Sequence, residues 1–355
     1  MEKAVDPKPK LSMEEANALI RRLYGITPSQ MSSLPSYLDQ NFLVMSPEGS
    51  KFVLKIMSAE ESKNGAHLQI QNLTLAFLGE RGIPVQKVLP TTAGTLMSME
   101  EIDCGHGALT FCVRLMTFLP GKSIYDSQVT LQDLYQVGKF IASLNQTFQQ
   151  LDLPQPDALH CLSNDRWNML NVAKVQDFLS VMDGDPLQEV ILSVVKAFQE
   201  DVLPKVGSFR KGVIHNDLSD QNILVTPALN GHHNISGVLD FALMKTSCIV
   251  FEVAVSIMYH MLSYPRPLDV GGAILAGWQS VMVLNEEEKD SLYLLVLGRL
   301  CQSLVYGRDN VKKHPYNAEY LLRTAQNGEW LLKMLWELGK EEVLKKWLSD
   351  LTMFS

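Results

Sequence analysis

Two short polar stretches, each joined to an apolar run, constrain this chain more than any other feature. In the first, residues 213–225 read VIHNDLSDQNILV, so His215, Asp217 and Asn222 lie on a loop between two apolar segments. In the second, residues 236–241 read SGVLDF, which is typical of a buried strand that ends at Asp240. Two carboxylates and an amide supply the hard oxygen atoms that Mg²⁺ prefers. The pattern therefore predicts a site that contains Asp217, Asn222 and Asp240.

The spacing of these residues is that of the catalytic loop and metal-binding segment of kinases. Phosphoryl transfer requires a held donor, neutralised phosphate charge and an oriented acceptor hydroxyl. We expect Asp217 to take the proton of the hydroxyl, and Asn222 and Asp240 to hold Mg²⁺. Lys55, within the β-prone run 51–56, is expected to contact the α and β phosphates of the donor. Each residue alone has an ordinary explanation as a strand or turn residue, but the combination favours nucleotide-dependent transfer.

Length and charge limit the other possibilities. A chain of 355 residues with 46% hydrophobic content exceeds one ordinary core, so two lobes are expected. The net charge of −8 and the absence of a dense Lys/Arg block argue against nucleic acid or an anionic membrane as a partner. The N-terminal stretch resembles no signal peptide, and no run reaches the roughly 18 apolar residues of a membrane span. The protein is therefore expected to be soluble and cytoplasmic, and its five scattered cysteines are expected to be reduced.

The pattern along the chain predicts an α+β architecture. Residues 1–118 are expected to form a small antiparallel sheet of about five strands with one main helix, after a disordered tail over residues 1–10. Predicted elements of this lobe are a helix from the Ser12/Glu15 capping box to Leu23, a hairpin of runs 39–45 and 51–56, a helix over 60–81, and a hairpin of runs 95–101 and 109–118. Residues 119–355 are expected to be mostly helical, with helices at 131–150, 164–180, 187–206 and 251–262. Glu252 is the sole charge on the last of these, so it is expected to accept hydrogen bonds from the loop backbone or from a basic side chain.

Longer segments of the chain resemble one family. They are LPSYLDQNF, KFVLKI, RLMTFLPGKSI, IHNDLSDQNILV, GVLDF, VFEVAVSIMYHML, GGAILAGWQS and RLCQSLV. They are similar to the aminoglycoside phosphotransferase group of kinase-like enzymes, and within it to members that act on hydroxylysine. The resemblance implies a protein-kinase-like bilobal fold with a nucleotide-binding first lobe. It also implies that the terminal phosphate of GTP passes to the hydroxyl of 5-hydroxy-L-lysine, in lysine degradation.

The resemblance also implies roles for individual residues. Asp217 is the proton acceptor, Lys55 the phosphate-contacting lysine, and Asn222 and Asp240 the metal ligands. Segment 36–42 is implied to cover the phosphates and segment 117–119 to meet the purine edge. The nucleotide-binding residues of these two segments are Ser36, Gln40, Asn41, Thr117 and Leu119. His215 is interpreted as a structural histidine that holds the loop.

Three departures from the family pattern leave alternatives open. Asn216 replaces a common glycine, residues 242–243 are Ala-Leu where Gly-Asp is common, and Gln69 occupies the nearest register for the acidic partner of Lys55, with Glu60 and Glu61 as alternatives. If the glycine conformation is required, Ala242 is strained by about 1 kcal/mol or more. These changes keep open a nucleotide-binding regulator without turnover, and a kinase for another amino alcohol or an aminoglycoside-like compound. Candidate acceptor-pocket residues are Asp165, Arg166, Trp167 and Asp220.

Overall fold

The computed structural model describes residues 8–105, 107–153, 159 and 165–354. The chain divides into two compact units, Met1–Leu119 and Pro120–Ser355. The first unit contains an antiparallel sheet and the second is larger and mainly helical, so the predicted α+β class is confirmed. Most of the predicted tail, residues 1–7, lies outside the described residues.

The first unit is built on a six-stranded sheet with the order β1-β2-β3-β6-β4, in which β5 also pairs with β6. All of its strand pairs are antiparallel. Its elements are α1 (Met13–Tyr24), β1 (Gln30–Leu34), β2 (Gln40–Met45), β3 (Lys51–Ile56), α2 (Ala59–Ser62), α3 (Gly65–Glu80), β4 (Val88–Leu89), β5 (Ser98–Asp103) and β6 (Ala108–Thr117).

The core of this unit lies between the sheet and α1. Phe42 and Leu54 are buried on one face of the sheet and pack in one cluster with Ile20 of α1. The predicted capping box is present, since Ser12 and Glu15 bond each other's backbone N–H groups. The β2–β3 register places Asn41 directly opposite Lys55, so both side chains lie on the same face.

Two predictions for the first unit are wrong in detail. The sheet has six strands rather than about five, because β1 is polar and β4 has only two residues, and neither carries an alternating apolar pattern. The helix predicted over 60–81 is two helices. The side chain of Asn64 accepts the N–H of His67 and starts α3 afresh after α2 ends.

The second unit carries short strands between its helices. Its three-stranded sheet has the order β10-β9-β7, and β8 pairs with β11. Its elements are β7 (Lys122–Ser123), α4 (Leu131–Phe148), a 3₁₀ segment (Met169–Met182), α5 (Leu187–Ala197), β8 (Lys211–Ile214), β9 (Ile223–Pro227), β10 (His233–Val238), a 3₁₀ turn (Phe241–Leu243), β11 (Lys245–Cys248), α6 (Val250–Ser263), α7 (Pro267–Gln279), α8 (Glu286–Lys313), α9 (Ala318–Leu321) and α10 (Arg323–Asp350).

Two of the helices predicted for this unit differ from the structure. The segment predicted as a helix over 164–180 is a 3₁₀ segment that starts at Met169, where the Asn168 side chain accepts the N–H of Leu170, and residue 164 lies outside the described residues. The helix predicted over 187–206 leaves α geometry after Ala197, through a π turn and a 3₁₀ turn that contains Pro204. The apolar helix predicted at 251–262 is confirmed as α6, in which every residue from Val250 to Met261 is buried.

Two further findings concern membrane-spanning helices and the state of the cysteines. Among the described residues, no helix is long and apolar enough to cross a membrane. Cys104, Cys112, Cys248 and Cys301 carry free thiols, and Cys161 lies outside the described residues.

Candidate active site

A buried carboxylate of α6 fixes the start of the loop between β8 and β9. The Oε2 and Oε1 atoms of Glu252 accept the N–H groups of His215 at 2.6 Å and Asn216 at 2.9 Å. Glu252 is fully buried, and this burial raises its pKa to about 7 against the lowering effect of the two N–H groups. The sequence prediction that Glu252 accepts donors from this loop is confirmed.

His215 holds the two polar stretches together. Its Nδ1 accepts the N–H of Asp217 at 3.3 Å, so the proton is on Nε2, which donates to the carbonyl of Leu239 at 3.0 Å. Its ring packs edge-on against Phe241, with centroids 4.6 Å apart. Burial lowers the pKa of His215 to about 4, so the ring is neutral at physiological pH. The geometry matches the structural role expected for this histidine.

The carboxylate of Asp217 is held on both oxygens. The Nδ2 of Asn222 donates to Oδ2 at 2.8 Å and to the backbone carbonyl of Asp217 at 2.9 Å. The Nη2 of Arg299 lies 3.3 Å from Oδ1. Burial raises the pKa of Asp217 to about 7, although 24% of its side chain stays exposed, and Arg299 opposes the shift. A carboxylate poised near neutrality and open to solvent is suited to accepting a proton.

Arg299 is a site residue that the sequence reasoning missed. It lies in α8 with only 1% of its side chain exposed, and it donates to the carbonyls of Trp167 at 3.0 Å and Asn216 at 3.4 Å. One signal could have found it. Arg299 is the single charged residue of the stretch 291–305, SLYLLVLGRLCQSLV, and a buried cation in such a helix requires acceptors.

Asp240 lies at the other end of the site with an unusual backbone. Its φ is +60°, in the left-handed region, and its Oδ1 accepts the N–H of Ala242 at 3.3 Å. His215 ties this segment to the loop, since it bonds the carbonyl of Leu239 at 3.0 Å and packs against Phe241, and the charge of Asp240 contributes to the raised pKa of Asp217. The structure thus brings Asp217, Asn222 and Asp240 to one place, as the sequence predicts.

The donor set fits a magnesium ion. Because Asp217 takes the amide nitrogen of Asn222, the Oδ1 of Asn222 is the atom that remains to bind a metal, together with the carboxylate of Asp240. The described residues contain no group of three or more His, Cys, Asp or Glu side chains that could hold a metal. A magnesium ion bound to a nucleotide needs only one or two protein oxygens, since phosphates and water complete its shell.

The condition for strain at Ala242, a glycine-like backbone, is not met. Ala242 lies in a right-handed 3₁₀ turn, and the non-glycine residues with positive φ in the described chain are Asn216 and Asp240. The left-handed position thus falls on Asp240, two residues earlier. Aspartate and asparagine adopt this conformation more readily than most residues.

In the first unit, Lys55 is buried on β3 with an acidic neighbour. Its Nζ lies 2.5 Å from the Oδ2 of Asp39, whose Oδ1 accepts the N–H of Ser58 at 2.9 Å. The prediction that Gln69 is the residue in register with Lys55 is wrong, because Gln69 is exposed on α3 and makes no hydrogen bond to Lys55. Of the two alternatives, Glu60 is exposed and pairs with Lys63, and Glu61 is half-buried on α2. Beside Lys55, the buried Oδ1 of Asn41 has no hydrogen-bond partner among the described residues, so it is available to a ligand.

Ser36 and Gln40, which are also predicted to bind nucleotide, already make hydrogen bonds within the first unit. The Ser36 hydroxyl donates to the carbonyl of Asp39, and the side-chain amide of Gln40 bonds both backbone groups of Leu11, at 2.8 Å each. The side chain of Gln40 is therefore committed to holding Leu11.

Part of the segment predicted to meet the purine edge, residues 117–119, also makes hydrogen bonds within the first unit. Thr117 bonds Lys87 through its N–H and side chain, and its carbonyl accepts from Gln86 at 3.0 Å. Leu119 makes no hydrogen bond to the described residues. Of this segment, Leu119 has the backbone groups that remain for a base.

The sequence model described as "Phosphotransferase enzyme family" matches residues 31–288. The chain belongs to the phosphotransferase enzyme family. As a member of this family it is an enzyme, a phosphotransferase with an alcohol group as acceptor, which confirms the reaction class expected from the sequence.

Individual relatives cover almost the whole chain. The hydroxylysine kinase of Danio rerio is 44% identical over 351 residues, which are 98% of this chain and 98% of the relative. The hydroxylysine kinase of Mus musculus is 35% identical, over 96% of this chain and 93% of the relative. The family resemblance stated from the sequence is confirmed.

Solved structures of low identity confirm the fold alone. An amicoumacin kinase in complex with AMP-PNP, Ca²⁺ and Ami superimposes with a TM-score of 0.66 at 16% identity, covering 90% of this chain and 93% of that chain. A microcompartment-associated aminopropanol kinase gives a TM-score of 0.65 at 18% identity, covering 91% and 98%.

Three of the four candidate acceptor-pocket residues bond other residues of the second unit. Asp165 lies 2.7 Å from the Nζ of Lys245, whose side chain is 1% exposed. Arg166 bonds Asp309 at 3.0 Å, and Trp167 lends its carbonyl to Arg299. The fourth candidate, Asp220, instead lines a cavity of about 310 Å³ in the second unit.

Proposed function

We propose that this phosphotransferase transfers the terminal phosphate of GTP, with Mg²⁺, to the hydroxyl of 5-hydroxy-L-lysine. The main support for phosphoryl transfer is the arrangement of Asp217, Asn222 and Asp240 at one place in the second unit. The choice of acceptor is supported by near full-length similarity to proteins named hydroxylysine kinase. The choice of GTP, a cytoplasmic location and a place in lysine degradation are parts of the proposal that rest on the family resemblance.

The residues divide the reaction between them. Asp217 accepts the proton of the hydroxyl, whose oxygen forms a bond to the γ-phosphorus while the bond to the β-phosphate oxygen breaks and GDP leaves. Arg299 and Asn222 hold the carboxylate of Asp217 in place for this transfer. Lys55 contacts the donor phosphates, and Asn222 and Asp240 would hold the metal, which would neutralise phosphate charge.

A nucleotide-binding regulator without turnover is less well supported. Two sequence features favoured this alternative: the strain that a glycine-like backbone would cause at Ala242, and the lack of an acidic partner for Lys55. Ala242 is in a right-handed turn, and Lys55 is paired with Asp39. Leu243 still replaces an aspartate that is common in the family, but Asp240 and Asn222 supply two oxygen ligands.

The test is turnover with purified protein, Mg²⁺ and either GTP or ATP, across hydroxylysine, other amino alcohols and an aminoglycoside. We expect phosphorylated hydroxylysine, detected by ³¹P NMR, with GTP the better donor. Asp217→Asn is expected to lower kcat by about 10²- to 10⁴-fold, the usual contribution of a general base, while nucleotide still shifts the thermal midpoint. The exposed Asp201→Asn, in the same unit, is the matched control and is expected to keep wild-type activity. Wild-type turnover no faster than that of Asp217→Asn would refute the proposal.

A further inference from the structure

A cavity of about 310 Å³ opens beside the catalytic loop within the second unit. Its walls come from separate elements of the chain. Among its lining residues are Tyr125, Asp220, Gln221, Tyr259, Ser263 and Arg323. Its volume is at the lower end of the range for small-molecule sites, which suits an amino acid rather than a larger ligand.

Arg323, at the first turn of α10, gives the cavity a positively charged wall. Its guanidinium lies 5.3 Å from the ring centroid of Tyr125 and 4.9 Å from that of Tyr320, so aromatic faces hold its plane. One edge donates to the Oε1 of Gln221 at 3.2 Å. No carboxylate of the described residues forms an ion pair with Arg323. A guanidinium fixed in this way presents its remaining N–H groups for an external anion, and a carboxylate matches that geometry best.

Asp220 supplies a carboxyl group to the same cavity, and burial raises its pKa to about 7. The residue is 3% exposed, and Ser263 of α6 lines the same cavity. The electrostatic effect of Arg323 reaches Asp220, but the two do not form a direct ion pair. A cavity with a guanidinium and a carboxyl group at separate positions is complementary to an α-amino acid, in which a carboxylate and an ammonium group are attached to the same carbon.

The cavity also adjoins the catalytic base. Asp220 follows Asp217 by three residues on one loop, and the ring of Tyr259 lies 5.5 Å from the guanidinium of Arg299, which contacts Asp217. In 5-hydroxylysine, four bonds separate the α-carbon from the hydroxyl oxygen. One molecule can therefore engage the cavity with its α-amino-acid end and Asp217 with its hydroxyl.

We propose that this cavity binds the α-amino-acid end of the acceptor, with Arg323 holding the carboxylate and Asp220 the α-ammonium group. Arg323 then determines specificity for amino acids over amino alcohols that lack a carboxylate. The proposal rests on the proposed function, because it assumes an acceptor with an α-amino-acid end.

The experiment compares hydroxylysine with its decarboxylated analogue, 1,5-diaminopentan-2-ol, which keeps the hydroxyl and both amines. Arg323→Gln is expected to lower kcat/KM for hydroxylysine about 10- to 100-fold, as for the loss of a charged bidentate hydrogen bond, and to leave the analogue unchanged. Asp220→Asn is expected to lower kcat/KM for both compounds by similar factors, since both keep the amine. Lys333→Gln removes an exposed positive charge from the same helix, and we expect it to leave both values unchanged.

The outcomes separate this inference from the proposed function. Equal losses on both compounds in Arg323→Gln, or no loss on hydroxylysine, would overturn the role of Arg323. Unchanged values in Asp220→Asn would overturn the role of Asp220. If wild type does not turn over hydroxylysine, the proposed function fails, and the same comparison is made by calorimetric binding. A preference for the carboxylate-bearing compound that Arg323→Gln abolishes would then support the cavity assignment, and no preference would overturn it.

Discussion

The guanidinium of Arg299 lies 3.3 Å from the Oδ1 of Asp217, and the arginine itself is almost completely buried. This pair joins α8 to the catalytic loop. The same guanidinium donates to the carbonyl of Asn216 on this loop and to that of Trp167 on a separate segment, so it orders backbone as well as the carboxylate. Its charge also opposes the rise in the pKa of Asp217 that burial causes.

Arg299→Met is expected to move the pH dependence of the reaction. Asp217 must be ionised to accept a proton, so in wild type kcat/KM rises with pH through about 7. Without Arg299 the pKa of Asp217 rises further, and the acidic limb shifts to higher pH. Arg299→Lys keeps the charge and should shift less. A uniform loss of rate at all pH values, with no shift, would assign Arg299 a structural role only.

Lys55→Met is expected to raise the KM for the nucleotide by about 10- to 100-fold, because a charged hydrogen bond to phosphate is lost. Asp39→Asn should raise it less, since the lysine remains but its orientation is loosened. The exposed Gln69→Ala should leave KM unchanged. Initial-rate kinetics over a range of nucleotide concentrations measure all three, and a KM effect in Gln69→Ala would contradict the pairing seen here.

Asn216 has a φ of +67°, so substitutions there should rank by their tolerance of the left-handed region. Asn216→Ala is expected to be less stable than Asn216→Gly by about 1 kcal/mol, since only glycine avoids the Cβ clash. Both lose the same side-chain amide, which makes them a matched pair. Urea unfolding measures the difference, and an alanine variant as stable as the glycine variant would show that the loop can relax out of this conformation.

Ala242→Gly restores the residue that is common in the family at this position, yet we expect it to bring no gain. Ala242 lies in a right-handed 3₁₀ turn, where alanine is not strained and glycine has more conformational entropy to lose. The variant should be about 0.5 to 1 kcal/mol less stable and no more active. Increased turnover in Ala242→Gly would revive the idea that this segment silences the enzyme.

His260 predicts a component of acid sensitivity. It is buried on α6, its Nδ1 bonds the Ser256 carbonyl at 2.8 Å, and burial lowers its pKa to about 4 from the ordinary 6.5. The unfolded chain therefore takes up a proton between pH 6.5 and 4 that the folded chain refuses, so stability falls as pH falls. Between pH 7 and 5 this costs about 2 kcal/mol.

His260→Gln should remove this component, whatever the other titrating groups contribute. Urea unfolding of both proteins at pH 7, 6 and 5 gives the test. The difference in unfolding free energy between wild type and variant is expected to shrink by about 2 kcal/mol from pH 7 to pH 5. A difference that stays constant with pH would mean that His260 is not buried in its neutral form.

The sequence by itself determined the class of fold and predicted the residues of the candidate catalytic loop. Asp217, Asn222 and Asp240 are marked by their spacing along the chain, and Glu252 by being the sole charge on an apolar helix. These are local signals: a hydrophobic pattern requires burial, and a buried carboxylate requires donors nearby in the fold.

Only the tertiary structure decided which residues from distant segments complete the site. Arg299 meets Asp217 across 82 positions of the chain, and Arg323 meets Gln221 across 102. Register along one element cannot predict such pairs, because the pairs depend on how the helices pack against one another. The same holds for Lys55, which pairs with Asp39 just before β2, a residue that register along the helices does not offer. It also holds for the left-handed backbone, which falls on Asp240. Chain spacing sets which chemical groups are present, and packing sets which of them touch.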